Sequence, residues 1–320
     1  MDHWIAWTGP ISNKISGSLG GRSPTMFSGA ARRMEDEGMD ETRLLIADRS
    51  ERPKLRFSGP QAAWFLHQVL TQAFEDIQPG EARDAAMITT HGRMTGYLEA
   101  LATEDAILAH FEPELAATLP EAIQRYVFAT QVEIEDVTDA YGLVLVVGEA
   151  WRERAAEVAG DGPLHPTTSL GAPAGYVWAA RSEVDAMLTA LDEQGGVRAD
   201  EDELEGIRVT SGVARWGREM DEKTFPQEAA IDDRAVHFDK GCYLGQEAMA
   251  KIHFRGKVNR RLARLSTDGV LTPGGDLEAE GARVGKVTSV AGGKALGIVK
   301  HTIEPGAVVT SGDVDVKVIA

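Results

Sequence analysis

The C-terminal stretch, from Leu262 to Ile319, restricts the fold of this chain more than any other part of it. Short apolar runs at Leu262–Leu265, Val284–Val290, Ala295–Val299, Ala307–Val309 and Val314–Ile319 are cut apart by Pro273-Gly274-Gly275, Gly292-Gly293 and Pro305-Gly306. Glycine and proline at that density stop a helix before it can propagate, so the segment must form short strands joined by tight turns. Such strands bury their apolar faces by curling on themselves, and a small barrel or sandwich is expected.

Upstream the pattern is mixed. Lys54–Phe57 alternates as a strand does, and Ser58-Gly59-Pro60 opens a helix with Phe65, Leu66, Val69 and Leu70 on one face. Pro79-Gly80 turns the chain. Ala85–Thr89, Thr95–Ala102 and Ala106–Phe111 then read as short antiparallel strands, with a His91-Gly92 turn between the first two. Glu114–Arg125 predicts a helix, Gln131–Val137 and Tyr141–Val147 strands, Trp151–Val158 a helix and Gly175–Ala180 a strand. Ser182 and Asp200 are expected to cap the N-termini of two further helices, the second carrying Leu204, Ile207 and Arg208. This irregular alternation favours an α+β fold over a doubly wound parallel sheet.

A chain of 320 residues exceeds what one core organises. The divisions are placed at 1–40, 41–147, 148–256 and 257–320: an extension, two α+β modules and the barrel. Residues 1–40 are Gly/Ser-rich and acid-poor until Glu35, which predicts a disordered extension. Gly20-Gly21 and Ser23-Pro24 work against the amphipathic helix of a transit peptide.

Acidic residues outnumber basic ones by 50 to 33, a formal charge of −17, and this opposes a nonspecific grip on polyphosphate. The local basic cluster of Arg255, Lys257, Arg260, Arg261 and Arg264 is small and interleaved with strand residues, so direct nucleic-acid binding is not expected. No apolar run approaches the roughly 20 residues of a membrane-spanning helix. One cysteine excludes an internal disulfide framework and a multi-cysteine zinc site, which points to a reducing, cytoplasmic setting. The eight histidines show no H-x-H or H-E-x-x-H spacing, and no metal site is expected.

The chemistry concentrates in Asp221–Glu228, Lys240–Glu247 and Arg255-Gly256-Lys257. Ala248, Met249 and Ile252 have helical spacing, so Cys242 is expected just before a helix N-terminus, two residues from Lys240. The helix dipole and a nearby ammonium stabilise a thiolate, making Cys242 a candidate reactive residue with Lys240 tuning it. A lone cysteine packed as a small hydrophobe is the competing reading.

Lys240-Gly241-Cys242-Tyr243-Leu244-Gly245-Gln246-Glu247 resembles the K-G-C-[FY]-x-G-Q-E motif of the YgfZ family. These are folate-binding proteins related to the aminomethyltransferase (GcvT, T-protein) of the glycine cleavage system. Ser58-Gly59-Pro60, Pro79-Gly80, His91-Gly92-Arg93, Asp221–Glu228 and Gly256–Arg261 follow the family pattern in order, nearly everything after residue 44. The resemblance implies a three-domain ring with a small C-terminal β-barrel and a tetrahydrofolate site facing a central channel. It implies a role in assembly or repair of iron–sulfur enzymes, a tRNA-modifying one included, with Cys242 as the reactive thiol. Arg208, Gln227, Glu228, Tyr243, Gln246 and Arg93 are carried over as folate contacts; Arg93 is read equally as closing a hairpin.

Two alternatives stay open. A one-carbon or aminomethyl transferase needs a carboxylate in the His91–Tyr97 run, where this chain has Gly96 and no acid before Glu99. The other is a noncatalytic scaffold that has kept the fold.

Overall fold

A computed structural model describes residues 43–256 and 258–319, with Arg255 by its backbone alone. The extension expected over residues 1–40 and Lys257 of the basic cluster lie outside the described residues. The chain begins β1 (Leu45–Asp48), β2 (Lys54–Ser58), α1 (Ala62–Val69), β3 (Ala82–Ile88), β4 (Met94–Ala102) and β5 (Ala106–His110). It continues α2 (Thr118–Gln124), β6 (Glu133–Asp136), β7 (Tyr141–Val147), α3 (Trp151–Ala159), β8 (Leu164–Pro166) and β9 (Ala174–Ala180). Next come α4 (Val184–Glu193), β10 (Val197–Arg198), α5 (Glu201–Ser211), α6 (Asp232–Ala235) and α7 (Gln246–Arg255). Six strands close the fold: β11 (Arg260–Ser266), β12 (Asp276–Ala279), β13 (Ala282–Ala291), β14 (Lys294–Lys300), β15 (Val308–Ser311) and β16 (Val314–Val318).

The expected α+β class holds, and the last six strands close into a barrel in the order β11-β14-β13-β12-β15-β16. Its interior is filled by Leu265, Leu277, Val287, Val299 and Val316. The first sheet runs β3-β4-β5-β2-β6 and the second β10-β1-β7-β9-β8. Two strands from the range expected for the first module, β1 and β7, therefore lie in the second sheet. They pair antiparallel with each other, and β1 pairs parallel with β10, Leu45 opposite Val197. Conversely, Trp216, Ile231, Tyr243 and Met249 come from the range expected for the second module but pack into the core of the first sheet, with Phe57, Phe65 and Leu98.

Capping follows expectation at one helix and departs from it at another. Asp200 accepts from the Glu203 N–H and begins α5. Ser182 caps nothing. It sits inside a 3₁₀ turn, Arg181–Glu183, and α4 starts after Glu183 without a side-chain cap. The turn supplies its own tight bonding, so the serine's preference is overridden. Asp200→Ala is expected to cost about 1 kcal/mol, read as a lower urea midpoint at unchanged slope.

Candidate functional site

A cavity of about 40 Å³, partly open to solvent, is walled by both sheets, by α5 and by the segment from Ala214 to Met220. Five arginines (49, 52, 208, 215, 234) and four glutamates (99, 112, 201, 205) line it with Tyr97, Tyr176 and Trp216. Chains of alternating charge cross the wall. Arg215 pairs with Glu201 at 2.6 Å, Glu205 at 2.8 Å and Glu112 at 3.2 Å, and Arg52 pairs with Glu112 at 3.0 Å and Glu99 at 3.1 Å. Buried ions persist only when paired in this way. Burial opposes the charge on Arg52, and Glu112 and Glu99 outweigh it, holding its pKa above the usual arginine value. The Nε atoms of Arg49, Arg52, Arg215 and Arg234 are nonetheless buried without an aligned acceptor among the described residues.

Glu99 is the deepest acid of the wall, 1% exposed, and the one charged residue of its strand. It accepts hydrogen bonds from Arg52 and from the Thr167 hydroxyl. Burial pushes its pKa up to about 7 against the pull of Arg52. Beside it, Tyr97 donates to Asp84 at 2.7 Å.

The thiol-bearing turn lies elsewhere. Cys242 is exposed, so the reading as a packed hydrophobe is excluded. Lys240 is 7% exposed, and its ammonium donates to the carbonyls of His67, Leu70 and Gln72, the last two at 2.5 and 2.8 Å. Those carbonyls cluster at the end of α1, where backbone acceptors lack helical partners. All three ammonium protons are thereby taken up, and the charge also sits 4.6 Å from the Tyr243 ring centroid. Burial draws the Lys240 pKa down to about 7, while the carbonyl acceptors favour the protonated form. Lys240 thus anchors the turn, and none of its three ammonium protons is left for a hydrogen bond to the sulfur.

The other side of the turn is fixed by Gly245, which has φ +82 and begins α7. A Cβ there would stand 2.3 Å from the Thr89 carbonyl oxygen, so the backbone approaches the β3 end as only glycine allows. Cys242 is thus held at the surface between two anchors, one on α1 and one on β3.

The expected folate contacts are scattered. Arg208 alone of them lines the cavity, but its guanidinium is occupied by Glu205 (2.7 Å), Glu219 (2.8 Å), the Val213 carbonyl and Ser289 of the barrel. Its assignment as a folate contact is corrected to a brace between α5 and β13. Glu228, 2% exposed, accepts from Arg260 and the Phe225 N–H, and Arg93 donates to it while stacking 3.8 Å over the Phe225 ring. These three side chains clasp the β3–β4 turn to the barrel, which favours the hairpin reading of Arg93. Gln227 faces Met249 with its Oε1 unpartnered, Gln246 donates to the Lys240 carbonyl, and burial raises the Tyr243 hydroxyl to about 12. None of these five lines the cavity.

Sequence reasoning missed Arg52, Glu112, Arg215 and Tyr176, and it gave Glu99 no role. A signal for Glu99 was present: it is the one charged residue of a largely apolar strand.

Residues 259–320 match the model of the CAF17 C-terminal beta-barrel domain. A putative chloroplastic transferase of Arabidopsis thaliana is 27% identical, covering 81% of this chain and 65% of that protein. A mitochondrial protein of Phaeosphaeria nodorum, named as an iron-sulfur cluster assembly factor IBA57 homolog, is 26% identical over 68% of this chain and 54% of its own length. The chain thus spans less than two thirds of either relative. The crystal structure of glycine cleavage system aminomethyltransferase T from Bartonella henselae superposes with a TM-score of 0.78 at 17% identity, covering 88% of this chain and 86% of that one. The fold is therefore GcvT-like, completed by a barrel of the CAF17 kind. The GcvT-like fold and the CAF17-type barrel match agree with the resemblance read from the octet. No helix among the described residues is long and apolar enough to cross a membrane.

Proposed function

We propose that this chain binds tetrahydrofolate and supports assembly or repair of iron–sulfur cluster enzymes in the cytoplasm, tRNA-modifying ones among them, with Cys242 as its reactive group. The observation that carries this reading is the exposed thiol held between two anchors, since a sulfur presented this way is open to a client protein. The name of the fungal relative, an iron-sulfur cluster assembly factor, supports the same direction. The cytoplasmic placement rests on the single cysteine; the relatives cited carry chloroplastic and mitochondrial names. The residue types of the cavity wall support the folate reading. Guanidinium groups in the wall are donors of the kind that carboxylate and carbonyl oxygens accept from, and Tyr97, Tyr176 and Trp216 offer surfaces to a flat ring. Calorimetry with tetrahydrofolate tests this part, and absence of binding at millimolar ligand favours the scaffold.

Cys242→Ala is expected to leave the melting temperature unchanged, because the side chain is exposed, and to lower rescue of a cluster-enzyme defect at least tenfold in a deletion strain. Full rescue by this variant would remove the thiol from the mechanism.

One observation favours the transferase reading as well. Glu99 places a buried carboxylate in the cavity wall on the strand where Gly96 left the chain without one. Transfer of a labelled one-carbon unit to or from tetrahydrofolate by the purified protein would establish that activity; no turnover counts against it.

A further inference from the structure

The exposed aromatic side chains among the described residues are Trp64, Tyr126, Phe128 and Phe254, the last two 88% and 70% exposed. They come from elements that meet at the thiol-bearing turn. Trp64 stands on the outer face of α1. Gln61, three residues before it, exchanges two hydrogen bonds with Gln131, which ties the loop carrying Tyr126 and Phe128 to the start of that helix. His67, three residues after Trp64, faces the turn: its Nε2 is 4.0 Å from where a Cβ on Gly241 would stand. Gln61, Trp64 and His67 thus span about 9 Å of helix, ending beside Gly241. On the other flank, Phe238 stacks on His253 at 3.8 Å, and His253 meets Phe254 edge-on at 4.8 Å. The exposed Cys242 therefore lies between aromatic groups of α1 and of the end of α7.

Single exposed apolar residues are ordinary on a protein surface, but aromatics gathered around one turn have the composition of a protein–protein contact, where a few such anchors carry most of the affinity. The polar groups fit the same reading. Nδ1 of His67 accepts from the N–H groups of Phe74 and Glu75 at 3.2 and 3.4 Å, so the ring proton sits on Nε2, which makes no hydrogen bond among the described residues. A carbonyl of a covering chain would accept from it. The charges on the α1 side are acidic. Glu75 and Asp239 are exposed and have no lysine or arginine partner among the described residues, whereas Lys251 is taken by Glu247 and Arg83 by Asp76 and Glu81. The sequence places Arg255 and Lys257 after Phe254, at the opposite end. A formal charge of −17 works against both a second copy of this chain and an anionic lipid surface as the occupant.

We propose that this face docks a partner protein that lays an apolar patch across Trp64 and Phe254 and sets basic side chains against Glu75 and Asp239. That the partner is an iron–sulfur client rests on the function proposed above; the docking surface itself does not. Seated this way, the partner covers Cys242 and brings a group of its own to the thiol.

The test uses the full-length chain in a deletion strain, with p-benzoylphenylalanine at position 254 and, as a control, at Val270 of the barrel, which is 88% exposed. Irradiation is expected to give a heteromeric adduct from position 254 and none from 270. The protein identified in that adduct, once purified, should bind Phe254→Ala and the Glu75→Lys/Asp239→Lys double variant at least about tenfold more weakly than the wild type. The loss in the double variant should shrink as salt is raised. Phe254→Ala should keep the wild-type melting temperature and the wild-type rate of Cys242 alkylation by iodoacetamide, which separates docking from a folding or thiol defect. An adduct of two copies of this chain, a crosslink from 254 to residues 1–42, no adduct at 254, or undiminished binding by the variants overturns the proposal. If the variants lose binding but the partner neither holds an iron–sulfur cluster nor takes part in cluster assembly, the cluster reading falls and the docking surface stands supported.

Discussion

Arg52→Ala is expected to destabilise the protein by about 3–5 kcal/mol, the cost of leaving buried charge without its partner. Arg52 is 3% exposed and pairs with Glu99 at 3.1 Å and Glu112 at 3.0 Å, and it also donates to the Tyr176 hydroxyl at 3.3 Å. Removing the guanidinium strands two acids inside the cavity wall, and Glu99 is already raised to about 7 by burial. Arg52→Met restores most of the volume and should recover little, because the deficit is electrostatic. Adding Glu99→Gln to Arg52→Ala should recover part of the loss. Chemical denaturation of the single and double variants measures each step. A deficit below about 1 kcal/mol for Arg52→Ala would mean that solvent reaches this wall freely.

Lys240→Met should lower stability by about 1–3 kcal/mol, because it leaves three carbonyls around His67–Gln72 without their shared donor. The same variant separates two roles for the lysine. If Lys240 tethers the turn, Cys242 should react with iodoacetamide as fast as in the wild type, or faster as the turn loosens. If Lys240 instead activates the thiol, the reaction should slow several-fold near neutral pH. A slower rate with unchanged unfolding behaviour would restore the activating role and refute the tether.

Much of the fold was legible because it is written in local signals. Proline and glycine spacing marked three of the five connections of the barrel, missing β12 and the short turns after β12 and β15, and Asp200 capped α5 through the ordinary side-chain mechanism. Ser182 failed because a 3₁₀ turn competed for the same residues. Which sheet receives a strand was not legible: β1 is apolar whichever neighbour it has, and its partner Val197 is far along the chain. The candidate site divides the same way. The thiol and its turn are contiguous in sequence and were found together. The cavity wall is assembled from Arg52, Glu99, Glu112, Tyr176 and Arg215, which converge only after folding. Arg208 misled because a buried arginine bracing two elements looks, in sequence, like one awaiting a ligand.

The exchange of β1 into the second sheet has a consequence for biosynthesis. At about 5–20 residues per second, the ribosome exposes β1 for roughly 7–30 s before β10 emerges. Throughout that interval the edge of β1 that Val197 and Arg198 later cover has no partner strand from its own chain.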